Sequence, residues 1–171
     1  MIELARHSKY FKAKPKEYKE WAAWVLYGKQ YNYPQDLPIV TKWIHNHLDI
    51  KLCPPKFREG NLGNPMFGHC YHSTQALYFF FRGANLKAMS APCDIAGSHW
   101  WLIDDNNNII DITEDQYLSV GKKAPYDKGK ETKWYGWRNR THKRSLTLMH
   151  LVQPSSVLEF EEILEKPKKS Y

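Results

Sequence analysis

Residues 68–83 read GHCYHSTQALYFFFRG, and residues 86–112 read LKAMSAPCDIAGSHWWLIDDNNNIIDI. The first stretch lies between two glycines and has little polar relief from Ala76 to Phe81, which predicts a buried central helix over His69–Arg82. The second changes character. Leu86–Ile95 fits a strand, and Ser98–Ile103 fits one better because it is rich in aromatic and β-branched residues. Asp104-Asp105-Asn106-Asn107-Asn108 fits a hairpin turn, since Asn and Asp tolerate positive φ, and Ile109–Ile112 is then the return strand. A small antiparallel sheet packed on a central helix, with further helices before and after, predicts an α+β fold.

Working outward, Pro15 followed by Tyr18, Trp21, Ala22, Val25 and Leu26 at helical spacing predicts a helix over residues 15–27, stopped by Gly28. A second helix is expected from about Asp36, with Leu37, Val40, Ile44 and Leu48 on one face. Lys51–Phe67 reads as loop, punctuated by Pro54, Pro55, Gly60, Gly63 and Pro65. Glu114–Leu118 reads as a short helix, and Thr141–Val152 and Ser156–Leu164 as longer ones, the last with Ser156 and Glu159 as a capping box. Residues 1–165 are expected to form one domain, and the basic tail 166–171 to be disordered.

The chain has 171 residues, of which 42% are hydrophobic and 15% aromatic, a composition that excludes intrinsic disorder. Its longest apolar runs, Trp21–Tyr27 and Ala76–Phe81, are far too short to span a bilayer. Met1–Lys19 mixes charges and has no apolar core, so no signal peptide is expected. Cys53, Cys70 and Cys93 are odd in number and unevenly spaced, which does not suit a disulfide framework. A cytoplasmic protein without membrane contact is the expectation.

The net charge of +7 is localised. Between Lys122 and Arg144 lie nine basic and two acidic residues, so the rest of the chain is balanced. Lys122, Lys123, Lys133, Trp134, Trp137, Arg138, Arg140, Lys143 and Arg144 interleave cations with aromatic rings, a pattern suited to phosphates and stackable bases. A partner that is an acidic protein or a nucleic acid fits this segment. So does a plain solvated loop whose Trp residues tuck into the core.

Chemistry points elsewhere. Cys70 opens the central helix, where unpaired backbone N–H groups and the helix dipole are expected to lower its pKa. His99 lies on a strand and Asp111 on its antiparallel partner, so the carboxylate can orient the imidazole while the other ring nitrogen serves the thiol. Each residue has a plainer role available: Cys70 as core filler, His99 as a satisfied buried histidine, Asp111 as a turn or cap residue. The joint order nucleophile, base, carboxylate favours acyl transfer. His69, Cys70, His72, Cys93 and His99 are metal-ligand types, but their spacing matches no zinc pattern, and neither a metal nor another cofactor is expected.

Asn64-Pro65-Met66-Phe67-Gly68-His69-Cys70, Gly97-Ser98-His99-Trp100-Trp101 and Ile110-Asp111-Ile112-Thr113-Glu114-Asp115-Gln116-Tyr117 resemble, in order, three blocks of the YunG-like family of bacterial and phage proteins. His69 stands where that family more usually has Gln, and Tyr117 where it has Phe. More distantly, the arrangement resembles the transglutaminase-like and papain-like cysteine superfamily. That resemblance implies Cys70 as nucleophile, His99 as general base and acid, Asp111 as orienting carboxylate, and Asn64 as an oxyanion-hole side chain. It implies a hydrolase, deamidase or transferase acting on an amide or ester. The contrasting reading is a non-enzymatic, phage-type accessory protein that binds nucleic acid or protein through residues 122–144.

Overall fold

A computed structural model of the chain describes residues 30–134 and 143–152. The expected helices over residues 15–27 and Ser156–Leu164, and the tail 166–171, lie outside the described residues. Among those described the fold is α+β, with a small four-stranded antiparallel sheet and five α-helices. No helix among them is long and apolar enough to cross a membrane.

Helix α1 (Leu37–Asn46) turns Val40 and Ile44 inward, on the face its spacing predicts. Residues 51–67 are not simply a loop. A 3-10 turn, Pro55–Phe57, runs into a short helix α2, Arg58–Gly63. Of the glycines that suggested a loop, Gly60 is there for clearance, since a Cβ on it would come within 2.6 Å of the Phe67 ring, whereas one on Gly63 would meet nothing. Gly68 has a different reason. Its φ is +78°, and a Cβ there would meet Cys53 Sγ at 2.7 Å and Phe57 Cβ at 2.8 Å. Gly68→Ala is therefore expected to cost about 1–3 kcal/mol in urea unfolding, because strain and overpacking act together. An unchanged midpoint would show that this backbone relaxes at no cost.

The central helix α3 (Cys70–Phe80) is buried on nearly every side. Ala76, Leu77 and Phe80, with Phe81 just past its end, meet Val40, Ile44, Ala88, Leu102, Ile110, Leu148 and Met149 in one core. Each buried Val, Leu, Ile, Met or Phe side chain contributes about 1.5–3 kcal/mol, so the helix is held by burial despite its β-branched and aromatic residues.

Strands β1 (Lys87–Cys93) and β2 (Gly97–Ile103) form a hairpin that places His99 opposite Ala91. The turn after β2 forms as its composition predicts. Asp104 Oδ1 accepts from the N–H groups of Asn106 and Asn108, both at 2.9 Å, and Asn107 takes φ 62°. The return strand is shorter than expected. Strand β3 is only Ile109–Ile110, pairing with Ile103 and Leu102, because Asp111 leaves the ladder to accept from the Thr113 N–H. Helix α4 (Asp115–Leu118) follows, and then a 3-10 turn, Tyr126–Lys128. Strand β4 (Lys130–Glu131) pairs with β1, completing the order β3-β2-β1-β4. Helix α5 (Lys143–Val152) packs on α3, where Ser145 Oγ donates to Gln75 Oε1 at 2.6 Å.

Alternation along β2 predicts one of the two tryptophans outward, yet both are 1% exposed. Each sheet face is covered here. Trp100 packs on Tyr71 and Trp134, and Trp101 on His99 and Tyr126.

Candidate active site

Because β3 stops at Ile110, the outer edge of β2 is met further along by the start of α3. Thr74 Oγ1 donates to the Trp100 carbonyl at 3.2 Å, and Cys70 Sγ to the Ser98 carbonyl at 3.6 Å. The strand residue between those two carbonyls is His99. Asp111 follows β3 directly, so one short strand brings the carboxylate to the same place.

His99 Nε2 lies 2.5 Å from Asp111 Oδ2, and both side chains are almost wholly buried. The Tyr126 hydroxyl donates to the same oxygen at 2.8 Å. Asp111 Oδ1 accepts from Thr113 N at 2.9 Å and from Thr113 Oγ1 at 3.3 Å. The two readings of Asp111 are thus not alternatives: one oxygen shapes a turn, the other holds the histidine. Four donors on one carboxylate keep it an acceptor, and that places the His99 proton on Nε2.

The other ring nitrogen, Nδ1, is then a lone pair, and Gln116 Nε2 donates to it at 3.1 Å. Gln116 is 1% exposed and also faces the carbonyl and hydroxyl of Thr113, each at 3.1 Å. Its own carbonyl accepts from Asn64 Nδ2 at 2.9 Å, so Asn64 joins the site through the backbone of Gln116. Thr113 and Gln116 lie in the third block quoted above but were given no role there, and Tyr126 was not singled out from the sequence. The available signal was Gln116 on the first turn of the helix after Asp111. Trp101 stacks on the imidazole, with ring centroids 5.7 Å apart, and Tyr117 meets it edge-on at 4.8 Å.

The thiol differs from expectation. Burial pushes Cys70 up to about 12, and the nearby Asp111 and Cys93 charges push the same way. Backbone N–H groups of Trp100 and Tyr71 act in the opposite direction, but desolvation outweighs them. Cys70 therefore rests as a neutral thiol, not as the thiolate that its place at a helix start predicts. The cysteines are free: Cys53 and Cys70 buried, Cys93 half-buried.

A cavity of about 230 Å³ has Cys70, Ser98, Trp100, His72, Lys56 and Arg144 among its lining residues, and neither His99 nor Asp111. No group of metal-ligating side chains that could hold an ion occurs among the described residues. The basic segment divides. Lys122, Lys123 and Lys133 are exposed, and Arg144 is half-buried in the cavity wall. Trp134 is packed inward, its ring 5.4 Å from Trp100 and edge-on to Tyr71 and Tyr78. Trp137, Arg138, Arg140 and the Lys143 side chain lie outside the described residues. Comparison with protein-family models, curated proteins and solved structures at the level of sequence and fold found no match to this chain.

Proposed function

We propose that this protein is a cysteine-dependent acyl-transfer enzyme of papain-like or transglutaminase-like arrangement, with Cys70 as nucleophile, His99 as base and acid, and Asp111 as orienting carboxylate. The observation that carries this reading is the buried His99–Asp111 pair, 2.5 Å apart at the end of β3, beside a helix-opening thiol that lines a cavity. The likeness of its three sequence blocks to the YunG-like family supports the same residues. Free thiols suit a reducing compartment, and we place the protein in the cytoplasm.

The reaction runs by general base catalysis from a neutral thiol. The Gln116 amide moves off Nδ1, which then takes the Cys70 proton as sulfur adds to the substrate carbonyl carbon. The tetrahedral intermediate collapses, the C–N or C–O bond breaks, and Nδ1–H protonates the leaving group. A thioester on Cys70 remains, to be resolved by water or an amine. Backbone N–H groups at the start of α3 are the donors we assign to the developing oxyanion, each such donor being worth about 2.7–4 kcal/mol. Asn64 and the released Gln116 amide are side-chain candidates for the same role. Binding of an acidic macromolecule through residues 122–144 is the weaker reading, because the rings of Trp134 are already packed against aromatic neighbours.

p-Nitrophenyl acetate tests the proposal. Native protein is expected to carry an acetyl group on Cys70, read by mass spectrometry of its peptide, and Cys70→Ser none at that position as a thioester. His99→Ala is expected to slow acylation by about 10²–10⁴-fold. Acylation that is absent, or indifferent to His99, overturns it.

A further inference from the structure

Asp111 Oδ2 serves two donors, His99 Nε2 at 2.5 Å and the Tyr126 hydroxyl at 2.8 Å. The donors on Oδ1 are local, both from Thr113, two residues on. Tyr126 comes from further away. It opens the 3-10 turn that leads into β4, and β4 pairs with β1 at the edge of the sheet opposite β3. Its ring meets Trp101 edge-on, with centroids 5.2 Å apart, and its hydroxyl reaches the carboxylate that follows β3. The turn is closely seated. A Cβ on Gly129 would come within 2.4 Å of the Trp101 ring, which itself stacks on the His99 imidazole. Burial, and then the Asp111 carboxylate, hold the Tyr126 pKa above the usual tyrosine range, so the phenol stays a donor at every working pH.

We propose that Tyr126 is a positioning residue for acyl transfer, acting on His99 through the oxygen of Asp111 that the two share. The inference rests on Cys70 being the nucleophile and His99 its base. When Nδ1 takes the Cys70 proton, a positive charge appears on a side chain that is 0% exposed, and Asp111 balances it. A phenol donating to the same oxygen draws charge from the carboxylate and weakens its pull on the imidazole proton. The base is thereby kept free to lower pH, ready to accept from a neutral thiol. Among the described residues, Tyr126 is the one besides His99 that donates to Oδ2. The other titratable groups around the pair are Cys70 from α3, Cys93 from β1, Tyr117 from α4, and Glu114 just before it, which acts on the Tyr126 hydroxyl. His45 of α1 bonds the neighbouring Ile112 carbonyl, and Asp127 and Lys128 on the turn are exposed.

The test is the rate of Cys70 acylation by p-nitrophenyl acetate, followed against pH on the full chain. Tyr126→Phe keeps the ring on Trp101 and removes only the donor. Asp111 then pulls harder on the imidazole proton, so the acid limb of the rate is expected to move up by about 0.5–1 pH unit. A purely structural role would lower the urea midpoint and leave the limb in place. Gly129→Ala reaches the same contact from the other side. Its methyl forces the turn off Trp101 with the Tyr126 hydroxyl intact, and its limb is expected to move the same way. That variant keeps the test available if Tyr126→Phe folds poorly. An acid limb that stays in place or moves down, with acylation still dependent on His99, overturns the role of Tyr126 alone. Acylation of the native chain that is absent, or indifferent to His99, overturns the reading on which that role rests.

Discussion

Asp111→Ala is expected to destabilise the domain by about 3–5 kcal/mol, since each buried donor left without an acceptor costs about 1–3 kcal/mol. Four donors lose their acceptor at once: His99 Nε2–H, the Tyr126 hydroxyl, and the Thr113 N–H and hydroxyl. None of them regains water easily, because the His99 and Asp111 side chains are 0% and 1% exposed. For a chain of this length the thermal midpoint is expected to fall by at least about 6 °C. Asp111→Asn separates stability from chemistry. It keeps the shape and one acceptor oxygen, but its NH₂ group must confront donors on one side. The tautomer of His99 is no longer fixed, and acylation of Cys70 is expected to drop by up to about 10⁴-fold in a protein that still folds. A native midpoint in Asp111→Ala would show that the carboxylate does not organise the site. Full acylation by Asp111→Asn would show that orientation comes from packing by Trp101 and Tyr117 instead.

The same carboxylate shows how far local sequence rules reach. The central helix, the hairpin and its Asn-rich turn were legible because each is dictated by neighbours in sequence: apolar density, alternation, and residues that accept positive φ. The loop expected at residues 51–67 failed for a tertiary reason. Gly60 avoids the Phe67 ring, and composition alone cannot tell such a glycine from one that turns the chain. That His99 and Asp111 meet, and that Cys70 opens the central helix, was legible, since a strand histidine facing a return strand and a residue after Gly68 are restrictive placements. Their environment was not. The helix dipole argued for a thiolate, whereas full burial of Cys70 decides for the thiol, and burial depends on everything folded around it. Gln116 was missed for a related reason. Its amide matters only because α4 lays it against Nδ1 of His99, seventeen positions away in sequence. Trp134, for which the sequence left open a basic aromatic surface and a ring tucked into the core, packs on Trp100.

His69 carries the remaining large effect, which is a loss of stability in mild acid. It is 0% exposed, and its Nδ1 lies 2.7 Å from His72 Nε2. One of the two nitrogens must donate, and His69 Nε2 has no hydrogen-bond partner among the described residues. The less costly tautomer puts the His69 proton on Nδ1, donated to His72, and leaves Nε2 as a bare lone pair. Protonation would then create both a buried charge and a buried N–H without an acceptor. Burial accordingly lowers the His69 pKa to about 4, only weakly opposed by Asp49. Since the folded pKa lies below the unfolded one, the unfolded chain binds the extra proton as pH falls below about 6.5. Stability is complete above that value and is lost progressively down to pH 4, by about 3 kcal/mol in all. Urea unfolding at pH 7 and at pH 5.5 should differ by about 1 kcal/mol from this group alone. His69→Gln does not titrate and can still hydrogen-bond His72, so it should flatten the profile over that interval. An equally steep profile in His69→Gln would move the acid sensitivity to another group and leave the His69–His72 pair without a part in it.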